Sequence, residues 1–160
     1  MRLLPRVVGL DLAPRQPGTV GGDMCVMPFR AEAFDTVFSI EVLEHLPGER
    51  LTRALKEVRR VLRPGGHAIF VTPEKENLTQ RTTVCPQCGA VFHWLGHVHS
   101  FDRDTLTSIL HSVDLDVVFV RAEHLSFKGR HRLAGRFSFL LPHMGFQEPR
   151  SLIVVCRRPA

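Results

Sequence analysis

Short β-branched and aromatic runs alternating with amphipathic stretches predict an α/β fold with a mostly parallel sheet for this 160-residue chain. Three observations carry that reading. Strand-like segments recur at 7–10, 34–40, 67–72, 115–120 and 152–156. Apolar residues at helical spacing occupy 49–63 and 103–113, and Pro- or Gly-rich turns separate the two kinds of segment. A chain of this length builds one hydrophobic core, burying roughly 70% of its unfolded surface, so the reading is a single domain over 1–160.

The elements follow in order. VVGL at 7–10 is a short buried strand that delivers Asp11 into a turn containing Pro14, Pro17 and Gly18. A second short segment spans 19–24, and FDTVFSI at 34–40 is the stronger strand. From 49 to 63, Leu51, Leu55, Val58 and Leu62 form an apolar stripe, with Arg53, Lys56, Arg59 and Arg60 on the other face, and Pro64-Gly65-Gly66 stops the helix. HAIFVT at 67–72 is a buried strand ended by Pro73 and a polar stretch to Thr83. Asp102 is placed to cap a helix whose stripe is Leu106, Ile109, Leu110 and Val113. Two strands at 115–120 and 152–156 complete the pattern. Between them a Phe- and Arg-bearing connection, 122–150, is long enough to read as a functional flap.

Composition narrows the function classes. The hydrophobic share of 44% and charged share of 23% fit a folded globular chain, not a disordered one. The apolar run 137–146 is about half a membrane span and holds Pro142 and His143, while Pro5, Arg6 and Asp11 break any signal-peptide core, so a cytoplasmic location is expected. The net charge of +5 is concentrated in residues 121–160, which hold eight basic groups against Glu123 and Glu148. A near-neutral body with a basic tail argues against a general nucleic-acid binder. It suits either a solvated surface or a patch for an anionic small-molecule substrate.

In this order and spacing, VVGLDLAP, GDMCVMPF, FDTVFSIEVLEHLP, RVLRPGG and VTP resemble the class I S-adenosylmethionine-dependent methyltransferases, near the ubiquinone and menaquinone biosynthesis enzymes, over about residues 7–120. The resemblance implies a Rossmann-like sheet with an antiparallel C-terminal strand and S-adenosylmethionine as cofactor. A carboxylate ending a strand can accept both hydroxyl protons of a ribose, and by resemblance Asp11, followed by Leu12, is that ligand. Asp23 falls where the family contacts the adenine amino group, with Met24 beside the ring; a plain turn after Gly21-Gly22 is the alternative. Ile40 and Glu41 fall at the methionine end of the cofactor. Glu41, Glu44 and His45 share one side of a helical turn, which suits a divalent cation, a general base at His45, or merely the start of a helix.

Cys85-Pro86-Gln87-Cys88-Gly89 is not a general feature of this fold, and 84–100 reads as a zinc-knuckle-like insertion. Cys85, Cys88 and His93 give a C-x2-C-x4-H spacing that His99 or His97 completes; a redox dithiol and two unremarkable cysteines are the other readings. His97 also stands where the family's histidine approaches the substrate, so His45 and His97 are the candidate proton acceptors. The family's first strand and glycine-rich loop belong upstream of Val7, where only MRLLPR stands, so the sheet is expected to be N-terminally incomplete. Two functional readings follow: methyl transfer to a small molecule, or a non-catalytic relative that uses zinc and the flap to bind a partner.

Overall fold

The computed structural model describes residues 7–124 and 150–160. The basic flap therefore lies, except for its ends, outside the described residues. The strands are β1 (Gly9–Asp11), β2 (Thr19–Gly21), β3 (Phe34–Ile40), β4 (Leu62–Pro73), β5 (Thr82–Val84), β6 (Val91–His93), β7 (Asp116–Glu123) and β8 (Ser151–Arg157). The helices are α1 (Glu49–Val61) and α2 (Arg103–His111), and a 3-10 turn covers Leu43–His45.

Four strands form one mixed sheet in the order β3-β4-β8-β7. β3 pairs parallel with β4, and β8 lies between β4 and β7, antiparallel to both. Three strands thus share a direction and the C-terminal strand reverses it, as expected. β1 and β2 pair in parallel as a separate two-stranded sheet, and β5 and β6 form a hairpin. Among the described residues β1 and β3 are each paired on one side only. Phe38, on the open β3, stays 64% exposed.

One face of the four-stranded sheet carries the core. Ala68, Phe70 and Thr72 of β4 and Leu152, Val154 and Cys156 of β8 are buried on it, and the alternation along each strand turns Ile69 and Ile153 the other way. α1 covers this face with Leu51, Ala54, Leu55, Val58 and Val61, and α2 does so with Leu106 and Leu110. α2 starts where the sequence places it: Asp102 accepts from the Thr105 amide while the Thr105 hydroxyl accepts from the Asp102 amide.

Several details depart from the sequence reading: the first strand, expected buried over 7–10, is Gly9–Asp11, with Val7 and Val8 exposed, and α1 ends at Val61, not at 63. Pro64-Gly65-Gly66, expected to stop the helix, lies inside β4, where the β3 ladder shifts register between Phe34 and Thr36. Arg60, placed by pattern on the solvent face, instead donates to the Phe29 and Met27 carbonyls, and Glu57 accepts from the Met27 amide. The polar side of α1 thereby holds the loop before β3 in place.

Candidate functional site

The carboxyl ends of parallel strands are where an open α/β sheet presents its ligand-binding groups. At the end of β1, exposed Asp11 accepts from the Ala13 amide at 2.8 Å through Oδ1. It lines an open cavity of about 570 Å³ together with Gly9, Leu10, Ala13, Arg15, Gln16 and Thr19. Leu12 beside it is 77% exposed. Asp23 is engaged through both oxygens: Oδ1 accepts from the Cys25 amide at 2.8 Å and Oδ2 from Arg50 Nη2 at 2.8 Å. The Cys25 amide first, and Arg50 next, hold its carboxyl below the usual range. Turn formation and a tie to the first turn of α1 are therefore on display at Asp23. Met24 packs against the core.

Where β3 ends at Ile40, Glu41 takes a left-handed backbone (φ 53°) and donates its amide to the Val71 carbonyl at 2.8 Å. That bend feeds the 3-10 turn. Glu44 is buried there, accepting from Thr72 Oγ1 at 3.0 Å, while His45 stays exposed with Nδ1 3.3 Å from the Gly96 carbonyl. Of the expected trio, Glu44 and His45 do come together, but His97 rather than Glu41 joins them: ligand atoms of these three lie within 4.8 Å of one another. Glu41 is not in this group of three. Burial first, then the charges of Glu44 and Glu76, push its carboxyl up to about 7.

That shift has a sign. An acid raised above its unfolded pKa stabilises the fold in its protonated form, so the contribution is complete below about pH 4.5 and is lost as pH rises through about 7. Glu41 is partly open to solvent, and screening brings the effect to about 1 kcal/mol. In chelator-treated protein, Glu41→Gln is expected to flatten the fall in stability between pH 5 and pH 8. Urea denaturation at the two pH values checks this, and an unchanged slope in the variant would remove Glu41 as the cause.

The segment after β4 brings in a residue that sequence reasoning passed over. Glu76 is buried and contacts His97 Nδ1 through Oε2. Its Oε1 lies 3.6 Å from His93 Nε2 and 3.8 Å from Arg81 Nη1. His93, at the end of β6, stacks on His97 with ring centroids 4.7 Å apart, and His45 meets His97 edge-on at 4.8 Å. Burial, its leading influence, lowers the His93 pKa. The backbone explains the convergence. The Val98 and His99 amides both donate to the Glu44 carbonyl, and the Lys75 amide donates to that of Phe101, so 93–101 is laced across the ends of β3 and β4. The one sequence signal for Glu76 was its place three residues beyond β4, within a polar stretch without periodicity.

The expected set Cys85, Cys88, His93 and His99 is not assembled. Gly89, at φ 72°, closes the tight turn between the cysteines' flanks, and the Cys88 amide leads the influences that lower the Cys85 thiol pKa. Cys85 Sγ donates to Gln87 Oε1 at 3.2 Å. In the hairpin register, however, Val84 faces Val91 and Thr82 faces His93, so His93 sits at the far end of the ladder and turns toward Glu76. His99 lies against Phe101. Among the described residues, neither group of three potential metal ligands includes a cysteine.

Residues 2–70 match the model of a methyltransferase domain family. The phthiotriol/phenolphthiotriol dimycocerosates methyltransferase of Mycobacterium leprae is 40% identical over 81 residues, 43% of this chain and 29% of that protein. A Mus musculus protein described as "Probable tRNA methyltransferase 9B" is 41% identical over 56 residues, 34% of this chain and 12% of its own length. The chain thus matches well under two thirds of these relatives. Among solved structures, the Burkholderia thailandensis 1,6-didemethyltoxoflavin-N1-methyltransferase with bound 1,6-didemethyltoxoflavin and S-adenosylhomocysteine superposes with a TM-score of 0.62 at 14% identity, covering 97% of this chain and 62% of that one. Among the described residues no helix is long and apolar enough to cross a membrane.

Proposed function

We propose that the chain, whose residues 2–70 match a methyltransferase domain family and whose fold superposes on a methyltransferase structure, is a class I S-adenosylmethionine-dependent methyltransferase that takes part in methyl transfer to a small-molecule acceptor, with Asp11 on the cofactor ribose and His45 receiving the acceptor's proton. The observation that carries this is Asp11 at the carboxyl end of β1, held through Oδ1 and lining a cavity. An ionised carboxylate there supplies charge-assisted acceptors for two vicinal hydroxyls. Ile40, which ends β3, and Glu41 just after it suit the methionine portion.

The reaction needs a nucleophile aligned with the sulfonium methyl. Its lone pair forms the new bond to carbon, the C–S pair returns to sulfur to give S-adenosylhomocysteine, and the nucleophile's proton must leave. His45 suits that last task. A carbonyl only accepts, so with Gly96 as partner its Nδ1 carries the hydrogen and its Nε2 keeps a lone pair. Its exposure lets an acceptor reach it, whereas His97 is buried beneath it and engaged by Glu76. His97 is therefore read as support for His45 instead of as a second base.

Calorimetric titration with S-adenosylmethionine and S-adenosylhomocysteine tests the reading. Micromolar binding that weakens about tenfold in Asp11→Ala is expected; binding indifferent to that substitution would end the ribose assignment. The basic residues between 121 and 160 favour an anionic acceptor. Binding of tRNA with a steep salt dependence, in place of small acidic candidates, would overturn the small-molecule class.

A further inference from the structure

Four of the five buried side-chain atoms without a hydrogen-bond partner among the described residues are Glu44 Oε1, Glu76 Oε1 and His93 Nε2, whose residues group around His97, and His99 Nε2, two residues along the chain from it. Stranding such atoms away from water costs about 1–3 kcal/mol each, so a fold that concentrates them in one place has a reason for doing so. All four atom types are metal donors. The side chains of Glu76 and His93 are only 4% and 3% exposed, and these residues come from different segments, the stretch after β4 and the end of β6.

We propose that Glu76, His93 and His97 hold a divalent cation of the zinc class. Ligand atoms of the three lie within 4.8 Å of one another. Glu76 Oε1 and His93 Nε2, at 3.6 Å, are too far apart for a hydrogen bond. They are close to the roughly 3.3 Å that separates two ligands of a tetrahedral zinc with bonds of about 2.0–2.1 Å. Two imidazoles and a carboxylate form a set that zinc accepts readily, and they leave one coordination position for water.

The surrounding charges fit a cation. Glu41 and Glu44 add two carboxyl groups at the edge of the cluster, against the guanidinium of Arg81 at 3.8 Å from Glu76. Loading changes local contacts: a His97 that ligates through Nδ1 gives up its contact with Glu76 Oε2, and His93 gives up another. The His97 amide lies 3.3 Å from His93 Nδ1, whereas a ligating Nε2 puts the ring proton on Nδ1. That long amide contact is exchanged for a metal–nitrogen bond. The ion would clip the hairpin and the 93–101 segment to the end of β4, holding His97 under His45. It is independent of the methyl-transfer reading, since an ion can be held here whether or not a methyl group moves.

The experiment is metal titration of the full chain after chelator treatment, using zinc with elemental analysis and cobalt(II) with absorption spectroscopy. One ion per chain is expected, with the intense visible bands of tetrahedral cobalt and no thiolate-to-cobalt charge transfer. Glu76→Gln and His93→Ala should weaken binding at least tenfold, and the double variant Cys85→Ser/Cys88→Ser should leave it unchanged. The cysteine variant alters only the hairpin tip, and the cobalt spectrum needs no variant, so misfolding of a cluster variant cannot decide the outcome. No bound zinc at micromolar concentration, or an ion that shows thiolate charge transfer and is lost with the cysteines, would overturn the assignment.

Discussion

Phe70→Ala is expected to cost about 3–5 kcal/mol of folding stability, read as a lowered midpoint in urea with little change in slope. Phe70 is fully buried at the middle of β4, paired with Ser39 of β3 on one side and Val154 of β8 on the other. Its ring belongs to the core cluster that includes Leu55 and Val58 of α1 and Leu106 and Leu110 of α2. Truncation removes both the transfer gain of the ring and the contacts of its neighbours, and a β-strand hydrogen-bonded on both sides cannot move in to close the gap. Phe38 is the internal control. It lies on the adjacent strand but is 64% exposed, so Phe38→Ala should stay within about 0.5 kcal/mol. Equal losses at the two positions would mean that β3 and β4 are covered differently from the described packing.

Arg158→Ala is expected to cost about 2–3 kcal/mol, a large effect for a residue at the very end of the chain. Its Nη1 donates to the Leu62 carbonyl at 2.5 Å and the Arg59 carbonyl at 3.3 Å, and Nη2 donates to Glu32 Oε1 at 3.1 Å. The carbonyls ending α1 have no helical partners of their own, and a cation there also suits the helix dipole. The backbone shares the joint, since the Arg158 amide donates to Gly66 and the Gly65 amide donates to Arg158. Arg158→Lys keeps the charge but loses the forked geometry, so it should recover only part of the loss. Full recovery by Lys, measured in the same denaturation series, would show that charge alone matters.

Local pattern made most of the fold legible. The strand at 34–40 and the start of α1 at Glu49 read directly from β-branched content and a clean helical stripe, and Asp102 announced α2 because a capping box is a local device. The resemblance likewise placed Asp11 and Ile40 at strand ends, where the structure has them. Arg60 was misplaced by pattern for a physical reason: a long cation on a polar face reads as solvated until a loop is seen offering it carbonyls.

The histidine cluster shows the other limit. Spacing of cysteines and histidines suggested a four-ligand knuckle, and spacing did predict the tight turn at Gly89. Partners beyond that turn depend on strand register, which turned His93 away from the cysteines and toward Glu76. The sequence by itself determined the α/β class, the helix starts and the acid that ends β1, because those depend on interactions within a few residues. Only the tertiary structure decided that Glu76, His93 and His97 meet beneath His45, because that meeting is set by hydrogen bonds between segments tens of residues apart, and these leave no periodic trace in the chain.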